Sequence, residues 1–188
     1  MRVAVYGGSF NPPHLGHAMV AAWLLWADLA DQVWLVPTFK HAFGKDLAPF
    51  LRRVALCEAL AEAVGPRVKV CTVESELPSP SYTIDTLNRL REHNPDRTFR
   101  LVIGADVLSE TERWKDWSVL EARYPPIVVG RQGYPSPPGT ISFPGVSSTE
   151  VRARIASGQP IEHLVPRGVL RLIGNLYQSS KGPSDSKP

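Results

Sequence analysis

Two histidines, His14 and His17, stand three positions apart at the start of an apolar helical pattern running from Leu15 to Leu29. Ahead of them a short apolar run, Val3 to Tyr6, opens into Gly7, Gly8, Ser9, Phe10, Asn11, Pro12 and Pro13. A buried strand, a glycine-rich turn and a helix start bearing paired imidazoles suit a polyphosphate. Glycines let backbone N–H groups approach an anion closely, and a helix N-terminus adds positive potential. The imidazoles add donors at the same end of the helix, or charge when protonated. At i and i+3 they lie within reach of one another, and Gly16 keeps the surface between them open. The Gly-x-Gly-x-x-Gly spacing of a dinucleotide site is missing. Two capping or core histidines would look similar alone, but behind this turn they point to a nucleoside triphosphate.

The elements that must hold these residues alternate along the chain. Strands are expected at Arg2–Tyr6, Gln32–Pro37, Val68–Val73, Phe99–Ile103 and Ile127–Val129, with a short one around Ile141–Phe143. Helices are expected at Leu15–Leu29, Pro49–Val64, Tyr82–His93 and Ser118–Arg123, then from Ser147 or Ser148 to Ala156 and from Arg167 to Tyr177. The strands are apolar on both faces, as in a parallel sheet covered by helices. This predicts an α/β fold, a doubly wound Rossmann-like parallel sheet with helices on both faces, in a single domain over residues 1–178. Ligands of such folds bind at the carboxyl ends of the strands. Residues 179–188, rich in Ser, Lys, Gly and Pro, read as a disordered tail. Trp23 and Trp26, in a fully apolar helix, read as core.

Other motifs fall near that edge. Ser147-Ser148-Thr149 at a helix start offers hydroxyls and free N–H groups to an anion, with Arg152 one turn later. Alone it could equally be a capping box; beside a second phosphate-binding turn it reads as a second arm. Gly104-Ala105-Asp106 follows the fourth strand. Trp114 and Trp117 sit in a polar segment, where an indole face could stack on a planar ring or pack into a core.

Composition narrows the class. The 188 residues suffice for one α/β domain, and 43% are hydrophobic. The longest apolar run, Ala18 to Ala27, is half of a bilayer span. No membrane segment or signal peptide is expected, and the cytoplasm is the expected compartment. Cys57 and Cys71 read as free buried thiols. Net charge is +3, and residues 1–149 are balanced, so no nucleic-acid surface is expected.

The His14-Leu15-Gly16-His17 stretch resembles the (H/T)-x-G-H signature of nucleotidylyltransferases. Further stretches make the chain similar to the bacterial nicotinate-nucleotide adenylyltransferases over about residues 1 to 178. These are Ser81-Tyr82-Thr83-Ile84-Asp85-Thr86-Leu87, Ile103-Gly104-Ala105-Asp106 with Trp114 and Trp117, Val146 to Arg152, and Leu164-Val165-Pro166 with Tyr177. The resemblance implies adenylyl transfer from ATP, with Mg²⁺, to nicotinic acid mononucleotide, giving deamido-NAD and pyrophosphate. It implies catalytic roles for His14, His17 and Arg152. It places Gly7, Gly8, Ser9, Phe10, Gly104, Asp106, Ser147, Ser148 and Thr149 with these on ATP. It places Lys45, Tyr82, Thr83, Thr86, Asp106 and Trp117 on the acceptor, Trp117 being preferred to Trp114 for stacking. The family's Pro-Pro-His-Lys stretch after the second strand departs here: from Val36 to Lys45 the basic residues persist but the proline pair does not, so which of Lys40, His41 and Lys45 meets a phosphate stays open. No protein-held metal is implied, and homo-oligomerisation is left open. The alternatives are an acceptor such as nicotinamide mononucleotide or phosphopantetheine, or a catalytically silent nucleotide sensor.

Overall fold

A computed structural model of the chain describes residues 1–40, 44 and 46–174. Its centre is strand β1 (Arg2–Gly8), where Val3, Ala4 and Val5 are buried in succession, so both faces of the strand are covered. Strands β2 (Gln32–Pro37) and β4 (Thr98–Gly104) flank it in parallel; β3 (Val68–Val70) lies outside β2, and β5 (Ile127–Arg131) and β6 (Ser142–Phe143) lie outside β4. The order β3-β2-β1-β4-β5-β6 reverses direction between β1 and β4. The loops leaving those two strands diverge there and open a crevice.

Each face of the sheet has its own core. Helices α1 (Leu15–Trp26), α2 (Phe50–Val64), α6 (Ser148–Ala156) and α7 (Arg167–Ile173) cover the Ala4 face. Helices α3 (Thr83–His93) and α5 (Trp117–Arg123) cover the Val3 and Val5 face, and the short α4 (Ala105–Leu108) follows β4 directly. Fully buried side chains such as Leu24, Leu35 and Leu60 each contribute roughly 1.5–3 kcal/mol relative to exposure.

The doubly wound expectation holds, with local differences that have physical causes. Helix α1 ends at Trp26, before a backbone reversal at Asp28 (φ 52°) whose side chain pairs with Arg2. Trp26 is 82% exposed, not core; the helix is apolar all round, but only one side meets the sheet. Trp23 packs against the core edge-on to Phe143. The third strand stops at Val70 rather than Val73, and Val73–Glu76 coils into a 3-10 turn. The fifth strand runs on to Arg131, two residues past its expected end. Helix α5 starts at Trp117 behind Asp116, which takes a left-handed conformation. Cys57 is a buried free thiol, whereas Cys71 is only partly covered. Lys45, His41 and the segment from residue 175, including Tyr177 and the expected tail, lie outside the described residues. Among the described residues, no helix is long and apolar enough to cross a membrane.

Candidate active site

Two sets of cavities flank the point where β1 and β4 part. On the α1 side a cavity of about 130 Å³ is lined by Tyr6, His14, Gly16, His17, Gly104, Asp106, Arg131 and Val146. Its geometry starts at the helix end. His14 is the N-cap of α1, and its backbone N–H donates to Nδ1 of His17 at 3.1 Å. The two rings lie 3.8 Å apart, centroid to centroid, and the Phe10 ring backs His17 at 4.9 Å. Gly16 leaves room for the first imidazole: a Cβ would stand 3.0 Å from Cε1 and Nδ1 of the His14 ring and press on it.

Burial sets the charge of this pair. It lowers the pKa of His14 to about 4, with the Arg131 charge adding to the effect. His17 is lowered well below its ordinary value by burial, by His14 and by Arg131. Both imidazoles are therefore neutral donors at neutral pH rather than cations. Nδ1 of His14 is buried without a partner among the described residues. Asp106, on the first turn of α4, pairs with Arg131 from the end of β5. Gly104 leaves room for it, since a Cβ there would crowd Asp106 Oδ1.

Helix α6 is tied to the loop behind β1. Ser147 caps it, accepting from the Glu150 N–H at 3.1 Å. Ser148 donates to Pro12 O at 2.8 Å, and Arg152 donates to Asn11 O at 2.7 Å and to Thr149 Oγ1 at 3.3 Å. The predicted second arm thus lies against the first turn, with its hydroxyls and guanidinium fixing the loop's shape. Phe10, at φ 44°, turns its ring into the core, so only its backbone is left to face an anion.

On the α3 side two contiguous cavities of about 220 and 400 Å³ share Thr38, Glu74, Thr83, Val107 and Trp114. Gly7 and Gly8 line the inner one, as does Thr86, while Tyr82 and Lys115 line the outer. Lys115 pairs with Asp85 at 2.9 Å and lies over the Tyr82 ring. Trp114, not Trp117, lines both cavities; Trp117 meets it edge-on at 5.8 Å and packs on the core cluster behind. Asp106 lines the histidine cavity and neither of these two.

Three further residues stand at these cavities or behind their walls. Arg131 stands beside the histidines because β5 overruns its expected end. Glu74 enters the α3-side cavities because the chain coils after β3. Burial pushes its pKa up, and donors from Phe39, Ser81 and Thr86 with the Arg53 charge pull it back. Arg53, 1% exposed on α2, donates to the carbonyls of Ala48, Ser9 and Thr38. A charged residue on an amphipathic helix gives no sequence sign of such burial.

A sheet in this order, with an imidazole pair behind β1 and cavities on both sides of the switch point, defines a protein of the nucleotidylyltransferase class. The cytidylyltransferase-like family model matches residues 5–154. A protein of Anaeromyxobacter sp. (strain K) named as a probable nicotinate-nucleotide adenylyltransferase is 48% identical over 174 residues, covering 91% of this chain and 92% of that relative. A protein of Myxococcus xanthus with the same name is 40% identical over 168 residues, 88% of each chain. The solved nicotinic acid mononucleotide adenylyltransferase of Plasmodium falciparum complexed with NaAD superimposes with a TM-score of 0.81 at 21% identity, over 94% of this chain and 97% of that one. The chain belongs to the cytidylyltransferase-like family, in its nicotinate-nucleotide adenylyltransferase branch.

Proposed function

We propose that the chain transfers the adenylyl group of ATP to nicotinic acid mononucleotide, releasing pyrophosphate and deamido-NAD. The observation that carries this reading is the pair of cavities that share Tyr6, Val102, Ile103 and Gly104, one beside the imidazole pair and the other beside Gly7, Gly8, Thr83, Thr86 and Trp114. ATP takes the histidine side and the mononucleotide the α3 side, so their phosphates meet where the ends of β1 and β4 line both cavities. The acceptor phosphate is already an anion at neutral pH. Its oxygen attacks the α-phosphorus in line and the bond to pyrophosphate breaks, with no general base and no protein nucleophile.

Catalysis then rests on positioning and on donors aimed at the developing charge. His17 accepts at Nδ1, so its proton is on Nε2, where it can meet a phosphate oxygen. His14 is a second neutral donor, and Gly8, Ser9 and Phe10 offer backbone N–H groups. Arg152 serves by holding Asn11, and its guanidinium can also reach an anion at the α6 N-terminus. Arg131 adds the cation that sequence reasoning missed. Mg²⁺ is held by the triphosphate itself, since imidazoles and guanidinium are poor partners for a hard cation. Asp106 is the one carboxylate among the residues lining that cavity.

Residues Tyr82, Thr83, Thr86 and Trp114 are assigned to the acceptor, with Lys45 kept as a candidate for its phosphate. The balanced charge of residues 1–149 supports small anions rather than nucleic acid as partners, and the free cysteines support a cytoplasmic site of action. The test is pyrophosphate release from ATP with nicotinic acid mononucleotide, nicotinamide mononucleotide and phosphopantetheine in parallel. Turnover with the first alone is expected. Turnover only with another acceptor would replace the reading, and none with any would leave a nucleotide sensor.

A further inference from the structure

The peptide unit between Thr38 and Phe39 is gripped from both ends by charged side chains. Its carbonyl accepts from Arg53 Nη2 at 2.7 Å, and its N–H donates to Glu74 Oε2 at 3.0 Å. Glu74 does more than hold this peptide. The same Oε2 accepts from Ser81 Oγ at 2.9 Å, and Oε1 accepts from Thr86 Oγ1 at 3.5 Å. One carboxylate thus joins the loop after β2, the turn before α3 and the first turns of α3. Those three segments form the wall of the α3-side cavities, and Glu74 itself lines both.

We infer that Glu74 is a positioning residue for the acceptor mononucleotide, acting through the Thr38–Phe39 peptide, Ser81 and Thr86. This rests on the acceptor occupying the α3 side. The chemistry suits a carboxylate: the Phe39 N–H and the Ser81 hydroxyl converge on Oε2, and Oε1 stands 3.5 Å from the Thr86 hydroxyl, whose nearer acceptor is the Tyr82 carbonyl at 3.2 Å. Cut back to alanine, the position leaves the Phe39 N–H and the Ser81 hydroxyl without their partner, while the Thr86 hydroxyl keeps the Tyr82 carbonyl. Leaving partly buried donors unmade costs affinity by about tenfold or more where a ligand depends on their placement. Arg53 keeps Ser9 and Ala48 in hand without Glu74, so the phosphate loop behind β1 is not expected to shift.

The test is steady-state kinetics of Glu74→Ala and Glu74→Gln, with thermal unfolding of each, using whichever mononucleotide the wild type turns over. Glu74→Ala is expected to raise the KM for that mononucleotide about tenfold or more while the KM for ATP stays within about twofold. Glu74→Gln, which keeps the bulk and one accepting oxygen, is expected to recover most of the loss. Ser81→Ala deletes a single donor and is expected to raise the same KM about threefold, which keeps the inference testable should Glu74→Ala not fold. Lower unfolding temperature with both KM values unchanged would overturn it, as would equal rises in both. A wild type that ignores nicotinic acid mononucleotide but uses another acceptor would correct the substrate reading alone. The selective KM shift is then read on that acceptor.

Discussion

The backbone N–H of His14 donates to Nδ1 of His17, and this bond decides which nitrogen of the second imidazole carries the proton. A ring that accepts at Nδ1 and is held neutral by burial must carry its proton on Nε2. The N-cap bond and the orientation of the His17 ring are therefore one feature, made by the same i, i+3 spacing.

Loss of that donor is expected to lower kcat by roughly 10²–10³-fold in His17→Ala, the range for one preorganised charge-stabilising group. ATP affinity is expected to change less, since His14, Arg131 and the backbone donors stay. Single-turnover measurements with saturating ATP check this. Half of the wild-type rate in the variant would remove His17 from the mechanism.

The two histidines also set an acid limit on stability. His14 has a folded pKa of about 4, below its ordinary 6.5. As pH falls below about 6.5 the unfolded chain takes up a proton that the folded chain refuses. Stability is lost through the window down to about 4, by about 1.4 kcal/mol per pH unit for that group. His17 acts in the same direction. Unfolding temperature is expected to drop between pH 7 and 5 more in the wild type than in His14→Gln, and bound ATP is expected to reduce the drop. Equal drops with and without the histidine would contradict the burial argument.

Much of this was legible in the sequence because the chemistry and the fold share a signal. The apolar runs gave β1, β2, β4 and β5, and the glycine turn with its histidines gave the helix start at the crevice. Arg53 and Glu74 were not legible. Each matters through partners from 5 to 44 positions away along the chain, such as Ser81 and Ser9, and local pattern carries no trace of such pairings. Trp26 misled for a related reason: apolarity on every side of a helix does not say which side the sheet will cover.

Arg152→Ala is expected to raise the KM for ATP about tenfold, through two effects that can be separated. The guanidinium holds the Asn11 carbonyl at 2.7 Å, so its loss loosens the loop in front of His14. Arg152→Lys keeps the charge but replaces the planar fork with a single ammonium. If loop shape is the main effect, lysine is expected to behave like alanine; if charge dominates, it is expected to recover most of the affinity. Unchanged ATP kinetics in both would reduce Ser147 to Arg152 to an ordinary helix cap.

The two tryptophans give the sharpest contrast between sequence and structure. Sequence favoured Trp117 as the ring that stacks on the acceptor's pyridine, yet Trp114 lines both α3-side cavities. Both rings pack against the core cluster that holds Leu120 and Tyr124, and Trp117, the first residue of α5, meets Trp114 edge-on without lining either cavity. A stacking ring is worth about 0.5–1.5 kcal/mol beyond the area it covers, so Trp114→Ala is expected to raise the acceptor KM about tenfold or more. Trp114→Phe keeps a ring face and is expected to recover most of that. Trp117→Ala is expected to act mainly through packing, with a lower unfolding temperature and an acceptor KM within about threefold of wild type. Because either pyridine ring can stack, neither substitution is expected to invert a preference for the acid acceptor over its amide. Acceptor titrations followed by kinetics, with unfolding curves for each variant, read all three effects. A large acceptor defect in Trp117→Ala beside a silent Trp114→Ala would return the stacking role to Trp117 and show that the loop between α4 and α5 rearranges when the mononucleotide binds.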